Sequence, residues 1–342
     1  MKKKLLIFLL LLSLYSSVVF AAEVVVDFVD VGQGDAILIR TTAGAVVLID
    51  GGQESAGRRS LVPFLHEANV GTINLMVATH PHSDHIGGLI PVLENFTVEK
   101  VYADAQIHTT RTYERFLLLI DQLDIPFYQV KAGMEVSLPG IDRFVFLHPQ
   151  EQFLTGLNNN SVVIWMQVGS QNFLFTGDIE SQAEQLLVAS KTLPQAQVLK
   201  VAHHGSSTSS SSPFLAAIQP EIAIIMVGED NTYSHPALQT LINLQGVEIY
   251  RTDYHGTITI TTDGQTREIT TRKWQVGLDY RINLNTASAV ELQTVPGIGP
   301  VLAERIINYR NQYGFNQVGD LINISGIGAA TLEKIKDYFY VD

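Results

Sequence analysis

The stretch that most limits how this chain can fold is ATHPHSDHIGG, residues 78–88, lying between the apolar runs INLMV and LIPVLENF. An apolar run that ends in polar residues and paired glycines reads as a strand leading through a turn into a helix. Within that turn His80, His82, Asp84 and His85 form the pattern H-x-H-x-D-H. Alternate residues on such a turn converge on one ion, while the next pair reaches a second ion beside it. Neutral imidazoles and a carboxylate suit zinc, manganese or iron, and two adjacent ions can activate one water. The chain has no cysteine, so any metal rests on nitrogen and oxygen donors and no disulfide contributes to stability.

The rest of the chain repeats the same rhythm. EVVVDFV and AILIRTTAGAVVLIDGG read as strands joined by tight turns, followed by a helix near RRSLVPFLHEAN, the strand INLMVATH and a helix after DHIGG. In the second half SVVIWMQVGSQNFLFTGD reads as a hairpin and ESQAEQLLVAS as a helix. AQVLKVAHHG and EIAIIMVG read as strands, SPFLAAIQ and PALQTLINLQG as helices, and VEIYRTDYHGTITITTDG as a final hairpin. Strands alternating with helices in two similar halves predict a layered α/β domain with two sheets inside and helices outside. The composition changes after about Thr271, and we place a boundary near Gln275 to Asp279. The expected organisation is a leader at 1–22, a domain over 23–274 and a tail over 280–342.

These residues resemble the metallo-β-lactamase-fold hydrolases, which implies an αββα sandwich holding two divalent metal ions, zinc or manganese. On that resemblance Asp178, in FLFTGD, is the carboxylate that bridges the ions. His80, His82 and Asp178 would hold the first ion. Asp84, His85, Asp178 and a late histidine would hold the second. The late ligand is one of His203 and His204 in LKVAHHGS; His203 is favoured, leaving His204 to face substrate. Asp50, in VLIDGG, matches an aspartate that orients a ligand histidine rather than binding metal. The family commonly has a further histidine before the bridging aspartate, where this chain has Asn160 and Ser161, with His148 in FLHPQ a distant substitute. The first site is therefore expected to be short of one strong ligand: weak, manganese-preferring, or filled only with substrate.

More specific stretches are VDVGQGDAILI, NNNSVVI, HHGSSTS, and NTYSHP followed by VEIYRTDYHGTITI. Together they closely resemble the extracellular hydrolase domain of ComEC, from about Glu23 to Asp263, which implies DNA as substrate. ComEC carries many membrane helices, and here none is expected beyond the leader, so the chain reads as a detached, exported version of that domain. GQGD also reads as a plain hairpin turn, and SSTSSSS as a flexible loop. Gly205 and Ser206, directly after the ligand strand, offer amides and a hydroxyl to a phosphate. Tyr233 and His235 lie in a loop able to reach the site. His235 serves either phosphate contact and leaving-group protonation or a structural hydrogen bond. Asp84, His204 and His235 are the candidate catalytic residues.

The tail contains one pattern twice, LQTVPGIGPVLAERI and LINISGIGAATLEKI, an internal duplication of helix, glycine turn and helix. It resembles helix-hairpin-helix modules and the DNA-binding domain of ComEA. Gly297, Gly299, Gly326 and Gly328 would let backbone N–H groups at a helix start approach a phosphate with no side chain reading a base. Binding should then be sequence-independent and salt-sensitive. A helical protein-contact module is the alternative.

The formal charge is −12, which is awkward for a nucleic-acid partner. From Tyr280 onward, however, five basic residues face six acidic ones, so the tail is nearly neutral. Most of the negative charge belongs to the metal-binding part, where cations offset aspartates. A modest tail affinity still raises local substrate concentration.

The N-terminus MKKKLLIFLLLLSLYSSVVFAAE has a basic start, an apolar run and small residues at its end, the pattern of a secretory signal peptide. An uncleaved membrane anchor is the alternative; with the leader cleaved, no stable membrane insertion is expected. Either way the remainder is expected to be secreted, periplasmic or on the cell surface. The combined expectation is an exported metal-dependent phosphodiesterase that cuts DNA. Another metallo-hydrolase, such as a cell-wall phosphodiesterase or lactonase, and a non-catalytic DNA receptor remain open.

Overall fold

Short β-branched runs with apolar residues on both faces build the centre of the molecule, because a strand buried on both sides has no polar face to keep. A computed structural model describes residues 23–229, 231–272, 282–287, 289–292, 295 and 298–341. The leader, the boundary placed near Gln275 to Asp279, and Gly297 lie outside the described residues. The chain divides into two compact units, the first ending at Thr271 and the second beginning at Arg272.

The first unit contains an eight-stranded and a six-stranded sheet. The former runs in the order Arg267–Arg272, Thr257–Thr262, Val24–Phe28, Ile37–Thr41, Val46–Ile49, Leu75–Ala78, Val101–Ala103, Phe127–Gln129. The latter runs Glu248–Arg251, Ile222–Ile225, Val198–Lys200, Gln171–Phe175, Val163–Val168, Arg143–His148. Period-2 alternation sorts the side chains. Val24, Val26, Phe28, Ile37, Ile39 and Val47 meet Phe144, Phe146, Met166, Phe173 and Phe175 in one core between the sheets. Leu38, Leu48 and Met76, from the other face of the first sheet, pack with Leu65, Leu89 and Phe116 of the helices on that side. Trp165, Leu174 and Leu199 pack likewise with Leu187 and Phe214 beyond the second sheet. The outcome is the helix–sheet–sheet–helix sandwich that the sequence predicts.

One expectation is corrected. VEIYRTDYHGTITI does not form a hairpin: Glu248–Arg251 pairs parallel to Ile222–Ile225 in the second sheet, whereas Thr257–Thr262 pairs with Val24–Phe28 in the first. The short helix Thr252–His255 carries the chain between sheets. Among the described residues no helix is long and apolar enough to cross a membrane.

Register decides where polar groups meet. Ile49 lies opposite Val77 in parallel strands, so Asp50 and Thr79 emerge side by side. Phe175 lies opposite Lys200, which sets the loop carrying Asp178 beside the loop carrying His203 and His204. Parallel strands that end together present their following loops on one edge.

In the second unit the two glycine turns repeat each other. Ile298 N–H donates to Val295 O at 3.0 Å and Ile327 N–H to Ile324 O at 2.9 Å. Gly299 and Gly328 then precede the helices Pro300–Tyr313 and Ala329–Ile335 with nearly the same backbone, φ −83°, ψ 177° and φ −91°, ψ 175°. Gly326 adopts φ +101°, a region that favours glycine. Ile298, Ile306, Leu321, Ile327 and Ile335 fill a shared core.

Candidate metal centre

Four loops converge at one edge of the sandwich. Asp50 follows Val46–Ile49 with φ +56° and accepts from Thr79 N–H at 2.8 Å and Thr79 Oγ1–H at 2.6 Å. Its Oδ2 also accepts from His85 Nδ1–H at 2.8 Å. That bond fixes the tautomer and turns His85 Nε2 toward Asp178 Oδ2, 3.2 Å away. Thr79 Oγ1 lies 3.2 Å from His80 Nδ1, so His80 Nε2 faces inward as well, 3.0 Å from His82 Nδ1. Two ring nitrogens at that separation share either a proton or a cation. Asp178 Oδ2 is the common point, also 3.4 Å from His204 Nε2 and 3.9 Å from His80 Nε2.

His203 and His204 exchange the expected places. Both adopt left-handed backbone, φ +51° and +52°, unusual for residues with a Cβ. This double bend aims the second imidazole inward, not the first. His204 Nδ1–H donates to Met226 O at 2.9 Å, and its Nε2 lies 3.4 Å from Asp84 Oδ2. His203 stays partly exposed beside Glu180, Thr208 and Asn158. The geometry thus brings His204, not the favoured His203, among the candidate donors.

The donors fit divalent cations. His80, His85 and Asp178 form one group and Asp84, His85 and His204 another, with the ligand atoms in each within 4.8 Å of one another. His85 Nε2, His204 Nε2 and Asp178 Oδ1 are buried without a hydrogen-bond partner. Such atoms are costly to bury unless something binds them. An all-nitrogen and oxygen set suits zinc or manganese.

Charge divides the histidines into two kinds. Burial pushes His80 well below its ordinary value, with His85 adding to the shift, and burial also lowers His82. Burial opposes a proton on His85 too, but Asp178 and Asp50 outweigh it and raise His85 well above the usual range. For His204, burial is outweighed by Asp178, Asp35 and Asp84, and its pKa rises to about 10. Without a cation, His85 and His204 thus hold protons at neutral pH that a metal has to displace. Raised pKa values mean that affinity grows with pH. We predict roughly a tenfold gain per pH unit for each proton displaced between pH 6 and 8. Zinc calorimetry in two buffers of different ionisation enthalpy reads the released protons; an affinity flat across this range would contradict the assignment.

A cleft of about 440 Å³ opens beside the centre, lined by His82, Asp84, Asn158, His203, Tyr233 and His235 among others. Tyr233 stacks on His235 at 5.8 Å and 19°, and the His235 ring lies 5.7 Å from His203. Burial lowers both His203 and His235, leaving neutral imidazoles on the wall. His108, which the sequence did not single out, joins the same wall 6.2 Å from His82. Gly205 and Ser206 do not line the cleft. Ser206 N–H is used by His203 O at 2.8 Å and its hydroxyl lies 3.0 Å from Thr208 Oγ1. Asn160 is consumed by Gln106, Leu154 and Gly156, whereas Ser161 Oγ accepts from Asp178 N–H at 3.2 Å. His148 is spent elsewhere, 2.8 Å from Asn159 O.

Sequence reasoning also missed Asp35 and Lys200, a buried pair in which Lys200 lies near Asp178 and Asp35 near His204. A signal existed for each: a lysine inside the apolar strand VLKV, and a carboxylate opening the apolar strand AILI.

Comparisons with known proteins match two separate parts of the chain. Residues 29–229 match the Metallo-beta-lactamase superfamily and residues 279–340 the Helix-hairpin-helix motif. ComE operon protein 3 of Bacillus subtilis (strain 168) is 30% identical over 256 residues, which is 70% of this chain and 33% of that protein. Competence protein ComA of Neisseria gonorrhoeae is 33% identical over 244 residues, 69% of this chain and 32% of that one. ComE operon protein 1 of Bacillus subtilis is 48% identical over 56 residues, 16% of this chain and 27% of its own. The chain thus spans about a third of the length of the first two relatives.

Proposed function

We propose, for a chain that belongs to the metallo-beta-lactamase superfamily and carries a helix-hairpin-helix motif, that it is an exported DNase. In this reading residues 23–274 hydrolyse phosphodiesters and residues 280–342 hold the polymer. The observation that carries it is the convergence of three imidazole Nε2 atoms on one oxygen of Asp178, at 3.2, 3.4 and 3.9 Å, beside an open cleft. Two divalent cations bound there would supply Lewis acidity and a nucleophilic water at neutral pH.

The chain's own residues do the rest. His80, His82 and Asp178 would hold one cation, and Asp84, His85 and His204, together with Asp178, the other. Asp50 keeps His85 Nε2 aimed inward through its bond to Nδ1. His203 and His235, neutral on the cleft wall, are placed to donate hydrogen bonds to a phosphodiester. His235 is positioned by Asn231, which accepts its N–H at 2.9 Å and donates to its carbonyl at 2.9 Å. Tyr233, exposed and stacked on His235, offers a flat surface to a base or sugar. The duplicated turns at Gly299 and Gly328 support backbone-directed, sequence-independent binding.

The test is incubation of the purified protein with linear, circular and single-stranded DNA under manganese, zinc and magnesium. Shortened DNA under at least one metal supports the reading. Turnover of small phosphodiesters or lactones without DNA cleavage would replace it with another hydrolase. Retention of DNA with no cleavage under any metal would leave only a receptor.

A further inference from the structure

Lys200 ends the strand Val198–Lys200 and is fully buried, as is Asp35. The two side chains form a close ion pair, and Lys200 Nζ–H also donates to Gly177 O at 2.9 Å. A buried ion pair is weak evidence for stability, since apolar side chains of similar volume usually serve as well. This pair also sits where a cation does harm. Nζ lies 3.7 Å from Asp178 Oδ1, while Asp178 Oδ2 faces His80, His85 and His204. An ammonium free to move that distance would compete with any metal for the central carboxylate.

We propose that Asp35 and Lys200 are positioning residues of the metal centre. Asp35 tethers the ammonium, so that Lys200 reaches only Asp178 Oδ1 and Oδ2 stays with the three imidazoles. Asp178 Oδ1 makes no hydrogen bond of its own, and in this reading the ammonium 3.7 Å away orients it electrostatically. Asp35 is well placed for this task. Its loop docks on the metal loop, with Asp35 N–H donating to Asp84 O at 3.2 Å, and a side chain at Gly34 would overlap that same carbonyl. The position of the tether is thus set by the backbone that carries Asp84.

The inference rests on the metal-centre part of the proposed function, and its test uses no nucleic acid, so it stands or falls apart from the DNase reading. Zinc and manganese dissociation constants are measured on the full chain by competition with a chromophoric chelator, with melting in EDTA as the control for folding. Asp35→Asn releases the lysine onto Asp178 and is expected to weaken metal binding about tenfold or more. Adding Lys200→Met removes the competitor, and the double variant is expected to return to within about threefold of the parent, a non-additive rescue. A purely structural pair predicts the reverse, with the double variant no tighter than Asp35→Asn. Parental affinity in Asp35→Asn, or no rescue, would overturn the proposal. If Asp35→Asn fails to fold, the double variant decides: metal binding retained supports the tether, and metal binding lost overturns it.

Discussion

Replacing Asp84 or His82 by alanine is expected to abolish DNA degradation, by about a thousandfold or more, while leaving DNA retention intact. The size follows from what each side chain does. His82 Nδ1 lies 3.0 Å from His80 Nε2, and in the proposed ligand set its loss leaves the first cation with His80 and Asp178. Asp84 supplies the carboxylate of the second group, 3.4 Å from His204 Nε2, and also borders the cleft. In the proposed mechanism, losing either would remove a ligand from the centre that supplies most of the electrostatic stabilisation of the transition state. Single losses at preorganised electrostatic sites cost about a hundred- to a thousandfold, and emptying a metal position costs more. Retention should survive because the tail builds its two glycine turns within its own core, around Ile298 and Ile327. The measurement is paired: nicking of plasmid under manganese or zinc, and the salt concentration that elutes each variant from immobilised DNA. Undiminished cutting by both variants would remove the metal mechanism. Retention lost in parallel with cutting would instead place the DNA contacts at the metal centre.

How much of this was legible in the sequence depends on how local each feature is. H-x-H-x-D-H lies in one turn, so its chemistry could be read from six consecutive residues. The alternation of the strands could be read as well, because each buried face is a property of a few neighbouring side chains. The choice between His203 and His204 could not. The residues are adjacent and chemically identical, and it is the left-handed backbone at both that decides which ring points inward. Asp35 and Lys200 were missed for a different reason. Each looks out of place beside its apolar strand, but their meeting requires the fold to bring Asp35 against Lys200, 165 positions away along the chain. The mistaken hairpin at Glu248–Thr262 shares this origin. Two strands separated by a short polar segment pair locally by default, and only the presence of two sheets gives the second strand a better partner in Val24–Phe28.

A single methyl group at Gly88 is expected to do as much damage as a typical core truncation. Gly88 has ordinary helical φ, −74°, so the demand for glycine comes from space and not from conformation. A Cβ there would overlap the Gly51 carbonyl and come within 3.1 Å of Gly57 Cα, all of it backbone. Backbone cannot rotate aside as the end of a side chain can, so the two segments must separate. Those segments are joined by Gly88 N–H to Gly52 O and Gly51 N–H to His85 O, each at 2.7 Å. Gly51 follows Asp50, whose carboxylate orients His85. Strain at Gly88 is therefore passed to the metal centre within one residue. We expect Gly88→Ala to destabilise the first unit by about 3 kcal/mol or more, in the upper range for overpacking. That corresponds to a fall in melting temperature of roughly 6–12 °C. Gly71→Ala is the control, since nothing lies within 4 Å of a Cβ at that exposed position, and it should change stability by less than about 0.5 kcal/mol. Calorimetric melting of both variants, with and without zinc, separates the two parts of the argument. Destabilisation confined to the metal-free protein would mean that cations pull the junction back together. Equal melting of Gly88→Ala and Gly71→Ala would mean that the glycine contact does not hold the site.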